Sequence, residues 1–228
     1  MPARNAIKQY QENGYYHLYN RGVEKRIIFL DSQDYGVFLS YLKEYLLPKD
    51  DVGLSKQLSN SNITPREKDK ILKALRLNNF FGEITLFTYC LMPNHFHLLI
   101  RQKSAGSINK FMRSIGTRYT MYFNKKYKRV GALCQAVYKA VLIENNNQLL
   151  HLSRYIHKQS LASQGESLEA QPCSYFDYLG KRKTEWVKPE EILAYFSSTN
   201  PFLSYQAFVE EKDDELIPHK LLLEEGWP

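Results

Sequence analysis

Two histidines near the middle of the sequence have the spacing of a metal-binding pair. His95 and His97 lie in the segment HFHLLIRQ, whose branched and aromatic residues predict a β-strand. Side chains two positions apart project from the same face of a strand, so both imidazoles can converge on one ion. An isolated pair of this kind more often makes hydrogen bonds within a sheet. The pair is therefore a candidate metal site that needs support from other residues.

A tyrosine and a glutamine in the second half of the chain have helical spacing. Tyr155 and Gln159 are four residues apart in a segment with a helical apolar pattern, so they share one face of the helix about a turn apart. A hydroxyl nucleophile and a third metal ligand could thus reach the same site. With 17 tyrosines in the chain, any single helical tyrosine is more often part of the core. Only the combination with the histidine pair favours a catalytic role.

The elements that must position these side chains follow the order β-α-β-β-α-β-α. Strands are expected at residues 15–20, 83–93, 95–102 and 136–143, and helices at residues 34–47, from 107 onwards and at 147–161. Pro93 and Asn94 form a turn between the two central strands, which predicts a hairpin. The histidines are therefore expected on a sheet strand and Tyr155 on a helix.

Two segments lie outside this pattern. Residues 49–80 are interpreted as a solvated insertion whose first part is polar and has no clear period. Within it, Thr64 to Glu67 form a capping box, which predicts a basic helix that reaches about Leu77. Beyond Gly165, short helical signals at 188–196 and 204–212 predict a small C-terminal helical appendage. The expected organisation is a catalytic domain at residues 1–165, containing the insertion, and an extension at 166–228.

The composition of the chain limits which classes of binding partner and which cellular compartment are expected. A net charge of +7 fits a phosphate backbone but suits many other proteins equally well, and 31 Lys and Arg beside 17 Tyr strengthen the nucleic-acid interpretation slightly. The three cysteines are scattered, which argues against a disulfide framework or a thiolate zinc site and favours a reducing compartment. Without an apolar run of about 18 residues, the chain is expected to be cytoplasmic with no membrane partner.

Four segments in order between about Tyr15 and Leu161 resemble the single-tyrosine HUH transposases, especially the REP-associated tyrosine transposases. They are YHLYNRG, YCLMPNHFHLLI, SINKFMRSIGTRYTMYFNKKYKRVG and HLSRYIH. The segment CSYFDYLG near residue 173 resembles the C-terminal extension of that branch. Together with the element order, the resemblance implies an α/β (α+β) ferredoxin-like fold with a central antiparallel sheet that carries the histidines.

The resemblance also implies an activity. It assigns His95, His97 and Gln159 to a divalent metal ion, Mg²⁺ or Mn²⁺, and Tyr155 to the nucleophile of a single-stranded DNA endonuclease and strand transferase. Such enzymes cleave at hairpin-marked sites through a 5′-phosphotyrosine. Mixed nitrogen and oxygen ligation agrees with a catalytic ion that keeps open positions. This chain departs from the family pattern at Gln159-Ser160, where relatives commonly have Asn-Pro, and at Val137, where they often have arginine.

Substrate contacts are expected mainly from the basic helix and its tail. The candidates are Arg113, Arg118, Lys125, Lys126, Lys128 and Arg129, with Asn20 and Arg21 as further candidates. The partner implied is single-stranded DNA with a palindromic hairpin. His17 is interpreted as structural more readily than as a support for the metal site, and a monomer is favoured over a homodimer. Two rival functions stay open: a non-catalytic nucleic-acid-binding module, and a metallohydrolase that uses activated water.

Overall fold

Four antiparallel strands form one sheet in the order β2-β3-β1-β4. The computed structural model describes residues 10–162 and 172–211 of the 228-residue chain. The strands are β1 (Tyr15–Arg21), β2 (Ile84–Met92), β3 (His95–Gln102) and β4 (Lys139–Ile143). The helices are α1 (Ser32–Leu46), α2 (Asp51–Leu58), α3 (Pro65–Arg76), α4 (Ser107–Lys126), α5 (Asn146–Ala162), α6 (Tyr175–Tyr178), α7 (Glu190–Leu193) and α8 (Tyr205–Glu210). This is the ferredoxin-like β-α-β-β-α-β topology with a further helix, so the predicted fold class is confirmed.

The register of the sheet decides which side chains share a face. β2 and β3 join through a two-residue turn, so Met92 pairs with His95 and Cys90 pairs with His97. On the other side of β3, His97 pairs with Tyr19 and His95 pairs with Arg21 of β1. Since paired residues in an antiparallel ladder project from the same face, the two histidines belong to one face and Phe96 and Leu98 belong to the other.

Each face of the sheet is covered by its own hydrophobic layer. The face with Phe96 and Leu98 packs against α1 and α4, through buried residues that include Phe38 and Phe111. The histidine face packs against α5, where Leu152 and Ile156 are fully buried, and against the chain after residue 172. Burial of these apolar side chains is what holds α5 in a defined position over the histidines.

The chain after residue 172 covers the open edge of the sheet. β2 is an edge strand, and its backbone exchanges hydrogen bonds with Pro172, Ser174 and Lys188 at 2.9 to 3.0 Å. An edge strand protected in this way cannot pair with another chain. The predicted helical signals correspond to α7 and α8, although both helices are short. Lys212 and the expected domain boundary at residues 165 and 166 lie outside the described residues.

The insertion holds two helices, of which only the second was predicted. α3 begins with the expected capping box, since the Thr64 backbone N–H donates to Glu67 at 2.8 Å and the Glu67 N–H donates to the Thr64 hydroxyl at 3.2 Å. α2 has eight residues and begins at Asp51, after the N-cap residue Asp50, whose carboxylate accepts from the Gly53 N–H at 2.8 Å. The few apolar residues of α2 have no clear helical period, so the apolar pattern of the sequence did not predict this helix.

β4 is shorter than predicted. It begins at Lys139 rather than at residue 136, because the Ala136 carbonyl accepts from the Asn20 side chain at 3.2 Å instead of taking part in a ladder. In the ranges that the structure describes, no helix combines the length and the apolar character needed to cross a bilayer.

Candidate active site

The fold brings the predicted nucleophile next to one of the predicted metal ligands. Tyr155 of α5 is half-buried, and its ring centre lies 5.6 Å from that of His97 at an angle of 84°. The His95 ring lies 4.9 Å from the His97 ring. His97 is only 5% exposed, whereas His95 is half-buried at the end of the strand. The two histidines of β3 and Tyr155, which is far from them in the sequence, thus form one cluster between the sheet and α5.

Both histidines use one ring nitrogen for a protein contact. His95 Nδ1 lies 2.6 Å from Asn94 Oδ1, and because an amide oxygen only accepts, His95 Nδ1 must carry the hydrogen. His97 Nδ1 lies 2.8 Å from His17 Nε2. When His97 donates in that contact, each of the two histidines has its hydrogen on Nδ1 and its lone pair on Nε2, which is a usual tautomer of metal-bound imidazoles.

The electrostatics of the cluster keep both imidazoles neutral. Burial lowers the pKa of His95 to about 4, and the positive charge of Arg21 adds to this effect. Burial also holds the pKa of His97 well below its usual value, with smaller contributions from His17 and His95. A histidine must be neutral to bind a metal, so both are in the required state near neutral pH.

The donor set available here suits a mixed-ligand ion. Gln159 lies one turn after Tyr155 on the same face of α5 and is half-buried. Within residues 10–162 and 172–211, no group of three or more His, Cys, Asp or Glu side chains is arranged to hold a metal. Two neutral imidazoles and an amide oxygen are donors that a divalent ion accepts, and a set of three protein donors leaves coordination positions for a phosphate. The residues present fit a divalent ion.

Two cations lie on the histidine face at the end of the sheet that carries His95 and His97. Arg21 pairs with His95 in the β1–β3 ladder, as a candidate substrate contact should. Lys139 pairs with Tyr19, the neighbour of His97, and is exposed. Lys139 could not be identified from the sequence, because its position beside Tyr19 depends on the register of β4 and no local motif indicates it.

Asn20 and α4 lie on the opposite face of the sheet. Asn20 pairs with Phe96, and its side chain donates to Ala136 and accepts from the Arg21 N–H at 2.9 Å. Since α4 packs against the Phe96 face, its predicted DNA-binding cations are separated from Tyr155 by the sheet. Asn20, Arg21 and the α4 cations were all predicted to contact DNA, and the fold divides them between the two faces of the sheet.

The basic residues of α4 and its tail fall into two groups. Three have partners within the chain: Arg118 pairs with Glu44 at 2.7 Å, Lys126 pairs with Asp31 and Asp34 at 2.7 and 2.8 Å, and Arg129 donates to Asn124 at 3.0 Å. Arg113, Lys125 and Lys128 are exposed. Exposed cations can meet a phosphate without giving up a protein partner, so the second group is better placed for DNA.

His157 connects α5 to the C-terminal segment. It is completely buried, with Nδ1 2.8 Å from the Tyr205 hydroxyl and Nε2 2.7 Å from the Ser174 hydroxyl. Tyr205 in turn donates to Ser153 at 3.1 Å. The sequence feature that could have drawn attention to His157 is its position in the HLSRYIH motif. Its hydrogen-bond partners follow it by 17 and 48 residues, so the sequence pattern could not identify them.

Replacing His157 with glutamine is expected to weaken the pH dependence of stability. Burial lowers the pKa of folded His157 from 6.5 to about 3, so between these values the unfolded chain binds a proton that the folded chain does not. Stability is therefore full above the unfolded pKa and falls as the pH drops below it, by roughly 2 kcal/mol at about pH 5. The glutamine variant should lack this loss, as measured by urea unfolding at about pH 7.5 and about pH 5.

The matched control is His151→Gln, on the same helix. Burial lowers the pKa of His151 as well, but less strongly. Its replacement should change the pH dependence less than His157→Gln does. Equal pH dependence in the wild type and in His157→Gln would contradict the assignment of His157 as a buried neutral histidine.

Comparison with known proteins agrees with the resemblance read from the sequence. Residues 58–159 match the family described as "Transposase IS200 like", and this span contains β2, β3, α4 and β4 together with His95, His97, Tyr155 and Gln159. No curated protein matches the chain. A solved structure described as "Structure of the REP associates tyrosine transposase bound to a REP hairpin" is 10% identical, covers 81% of this chain and 96% of its own, and superposes with a TM-score of 0.49. The predicted resemblance is therefore confirmed, because residues 58–159 match the family of the IS200-like transposases.

Proposed function

We propose that the protein is a metal-dependent endonuclease and strand transferase for single-stranded DNA that acts through a covalent tyrosine intermediate. The observation that carries the proposal is the position of the Tyr155 ring, 5.6 Å from His97, within a span that matches the IS200-like transposases. A phenol beside neutral imidazoles that can bind a metal ion is an arrangement that supports covalent catalysis at a phosphate.

His95, His97 and Gln159 would hold the divalent ion, Mg²⁺ or Mn²⁺. When bound, the ion supplies Lewis-acid polarisation to an oxygen of the scissile phosphate. His17 would orient His97 through the 2.8 Å contact to Nδ1, and Asn94 would orient His95 in the same way. Imidazole nitrogens are softer donors than carboxylates, so this ligand set favours Mn²⁺ over Mg²⁺.

Tyr155 would perform the covalent step. Its hydroxyl oxygen attacks the phosphorus, the bond from phosphorus to the 3′ oxygen breaks, and the phenol proton is in sum transferred to that oxygen. The products are a 5′-phosphotyrosine and a free 3′-hydroxyl. Because the new bond retains the energy of the phosphodiester, a 3′-hydroxyl of another strand can reverse the step and complete strand transfer.

The DNA would be held by cations on both faces of the sheet. Arg21 and Lys139 lie on the histidine face, where they can contact phosphates next to the cleavage site. On the opposite face, Arg113, Lys125 and Lys128 of α4 and its tail are exposed. Asn20, Arg118, Lys126 and Arg129 can contribute only by exchanging their present protein partners for DNA. Such an arrangement suits a hairpin that extends from one face to the other.

We further propose that residues 1–165 form the catalytic domain, that residues 166–228 are an extension, and that the protein acts as a monomer. Supporting this, α5 packs on the sheet of its own chain and is bonded to the following segment through His157 and Ser174. The Tyr155 cluster is thus built within one chain. Light scattering should give a mass near 26.8 kDa, and twice that value would contradict a monomer.

The activity can be tested with labelled single-stranded hairpin oligonucleotides from the DNA that flanks the gene. Incubation with Mn²⁺ or Mg²⁺ should give a protein–DNA adduct that survives denaturing electrophoresis, with a higher yield in Mn²⁺ and none in EDTA. Metal-dependent cleavage without an adduct would indicate a metallohydrolase that uses water. Binding without cleavage in both metals would leave a non-catalytic DNA-binding protein.

A further inference from the structure

A basic groove runs between α4 and the end of the insertion. Its volume is about 860 Å³. One wall consists of Arg76 and Asn78, which belong to the insertion, and the other consists of Lys110, Arg113, Ser114 and Thr117 of α4. The α4 residues recur at helical spacing on one exposed face. The insertion, to which the sequence pattern assigns no role, thus contributes one side of this groove.

The cations of the groove are available to an external ligand. Arg76, Lys110 and Arg113 are exposed, and in the part of the chain that the structure describes none of them forms a salt bridge. The neighbouring acids have partners of their own, since Glu44 pairs with Arg118 at 2.7 Å and Glu83 accepts from Ser107 at 2.8 Å. The groove therefore has an excess of positive charge that can be neutralised by an anionic ligand.

The insertion wall is fixed to the core at several points. Asn78 donates to the Ser114 hydroxyl at 3.0 Å across the groove, and Asn79 donates to the Leu47 carbonyl at 2.7 Å. Lys49, at the start of the insertion, donates to the Leu77 carbonyl at 3.0 Å. Arg76 is thus held on a defined backbone beside α4, which reduces the entropy lost when it binds a ligand.

The groove lies far from the Tyr155 cluster. It borders Glu83 and Ser104, which adjoin the start of β2 and the end of β3, whereas His95 is at the opposite end of β3. A strand of this length spans about 23 Å at ~3.3 Å per residue. Since a DNA duplex rises ~3.4 Å per base pair, this distance corresponds to about seven base pairs.

We propose that this groove binds the phosphate backbone of the duplex stem of the hairpin, about seven base pairs from the cleaved phosphate, and that the insertion acts as one wall of a stem clamp. The inference rests on the proposed function. Alternation of cations with Asn, Ser and Thr donors is typical of sequence-independent phosphate contacts. A duplex stem is favoured over an acidic protein because the same α4 face continues towards the proposed DNA site.

The test measures how charge-reversal variants change the affinity for hairpin DNA, and whether that change depends on the length of the hairpin stem. Arg76→Glu and Lys110→Glu should each raise the Kd of a hairpin with a stem of about ten base pairs roughly tenfold, and should lower the slope of log K against log salt by about 1. A hairpin with a stem of about three base pairs cannot reach the groove, so its Kd should change less than about twofold. Anisotropy with fluorescent hairpins gives both values.

Lys70→Glu is the matched control, because Lys70 is exposed on α3 but does not line the groove. Equal affinities of Arg76→Glu, Lys110→Glu and Lys70→Glu for the long stem would overturn the proposal, as would equal losses with both stems. Loss of polyglutamate binding without loss of hairpin binding would assign the groove to an acidic protein. Adduct formation by the wild type tests the proposed function separately, so either idea can fail alone.

Discussion

Replacing Tyr155 with phenylalanine is expected to abolish the covalent adduct with single-stranded hairpin DNA, a loss of at least about 10³-fold in rate. The variant keeps the ring that packs 5.6 Å from His97 and removes only the oxygen that is proposed to attack the phosphate, so the proposed covalent step cannot occur. The measurement is the initial rate of adduct formation in Mn²⁺, followed by denaturing electrophoresis. Hairpin affinity should stay within about twofold of the wild type, because the hydroxyl is a small part of the contact surface.

Tyr19→Phe is the matched control for this variant. The Tyr19 ring also lies close to His97, at 5.9 Å, and is almost completely buried. It belongs to the sheet and not to α5, and it should retain adduct formation within about tenfold. An adduct that persists in Tyr155→Phe and disappears in Tyr19→Phe would exchange the assigned roles of the two tyrosines.

Replacing His97 with asparagine is expected to lower metal-dependent cleavage by about 10²- to 10³-fold. The change removes an imidazole that the buried cluster holds neutral, and with it one of the proposed ligands that fix the ion against the phosphate. Asparagine is smaller but polar, which limits the cavity and the loss of stability at this buried position. The rate of cleavage should be measured over a range of Mn²⁺ concentrations, with urea unfolding to verify that the variant folds.

His17→Asn distinguishes a metal ligand from a residue that positions one. His17 contacts His97 Nδ1 at 2.8 Å, so its loss should weaken metal affinity by about 10- to 100-fold while high Mn²⁺ restores most of the maximal rate. His97→Asn should not be restored in this way. Full activity of His97→Asn at low Mn²⁺ would rule out His97 as a ligand.

The sequence predicted the elements of the fold more reliably than the surfaces they form. The β2–β3 hairpin could be predicted because Pro93 and Asn94 interrupt two runs of branched and aromatic residues, and α3 could be predicted from its capping box. α2 was not, because its cap at Asp50 precedes a helix with almost no apolar face. Local signals thus predict an element only when they agree with its periodicity.

Residues of the candidate site could be predicted from the sequence where a motif contains them. They could not be predicted where their proximity depends on pairing between strands. His95, His97 and Tyr155 were identified from spacing and resemblance, and the fold brings them together. Lys139 and the contact between His17 and His97 depend on which strands are neighbours and in what register, and a single strand contains no such information. For the same reason, the sequence could not show that Asn20 and α4 lie on the face opposite to the histidines.

The most direct test of the central claim is to identify the residue that carries the DNA. The adduct formed by the wild type with hairpin DNA can be digested with nuclease and trypsin and analysed by mass spectrometry. Cleavage after Arg154 and Lys158 releases the peptide Tyr155–Lys158, which contains a single tyrosine. The account predicts that this peptide carries a nucleotide linked through its 5′-phosphate. A nucleotide on a peptide from any other part of the chain would contradict it.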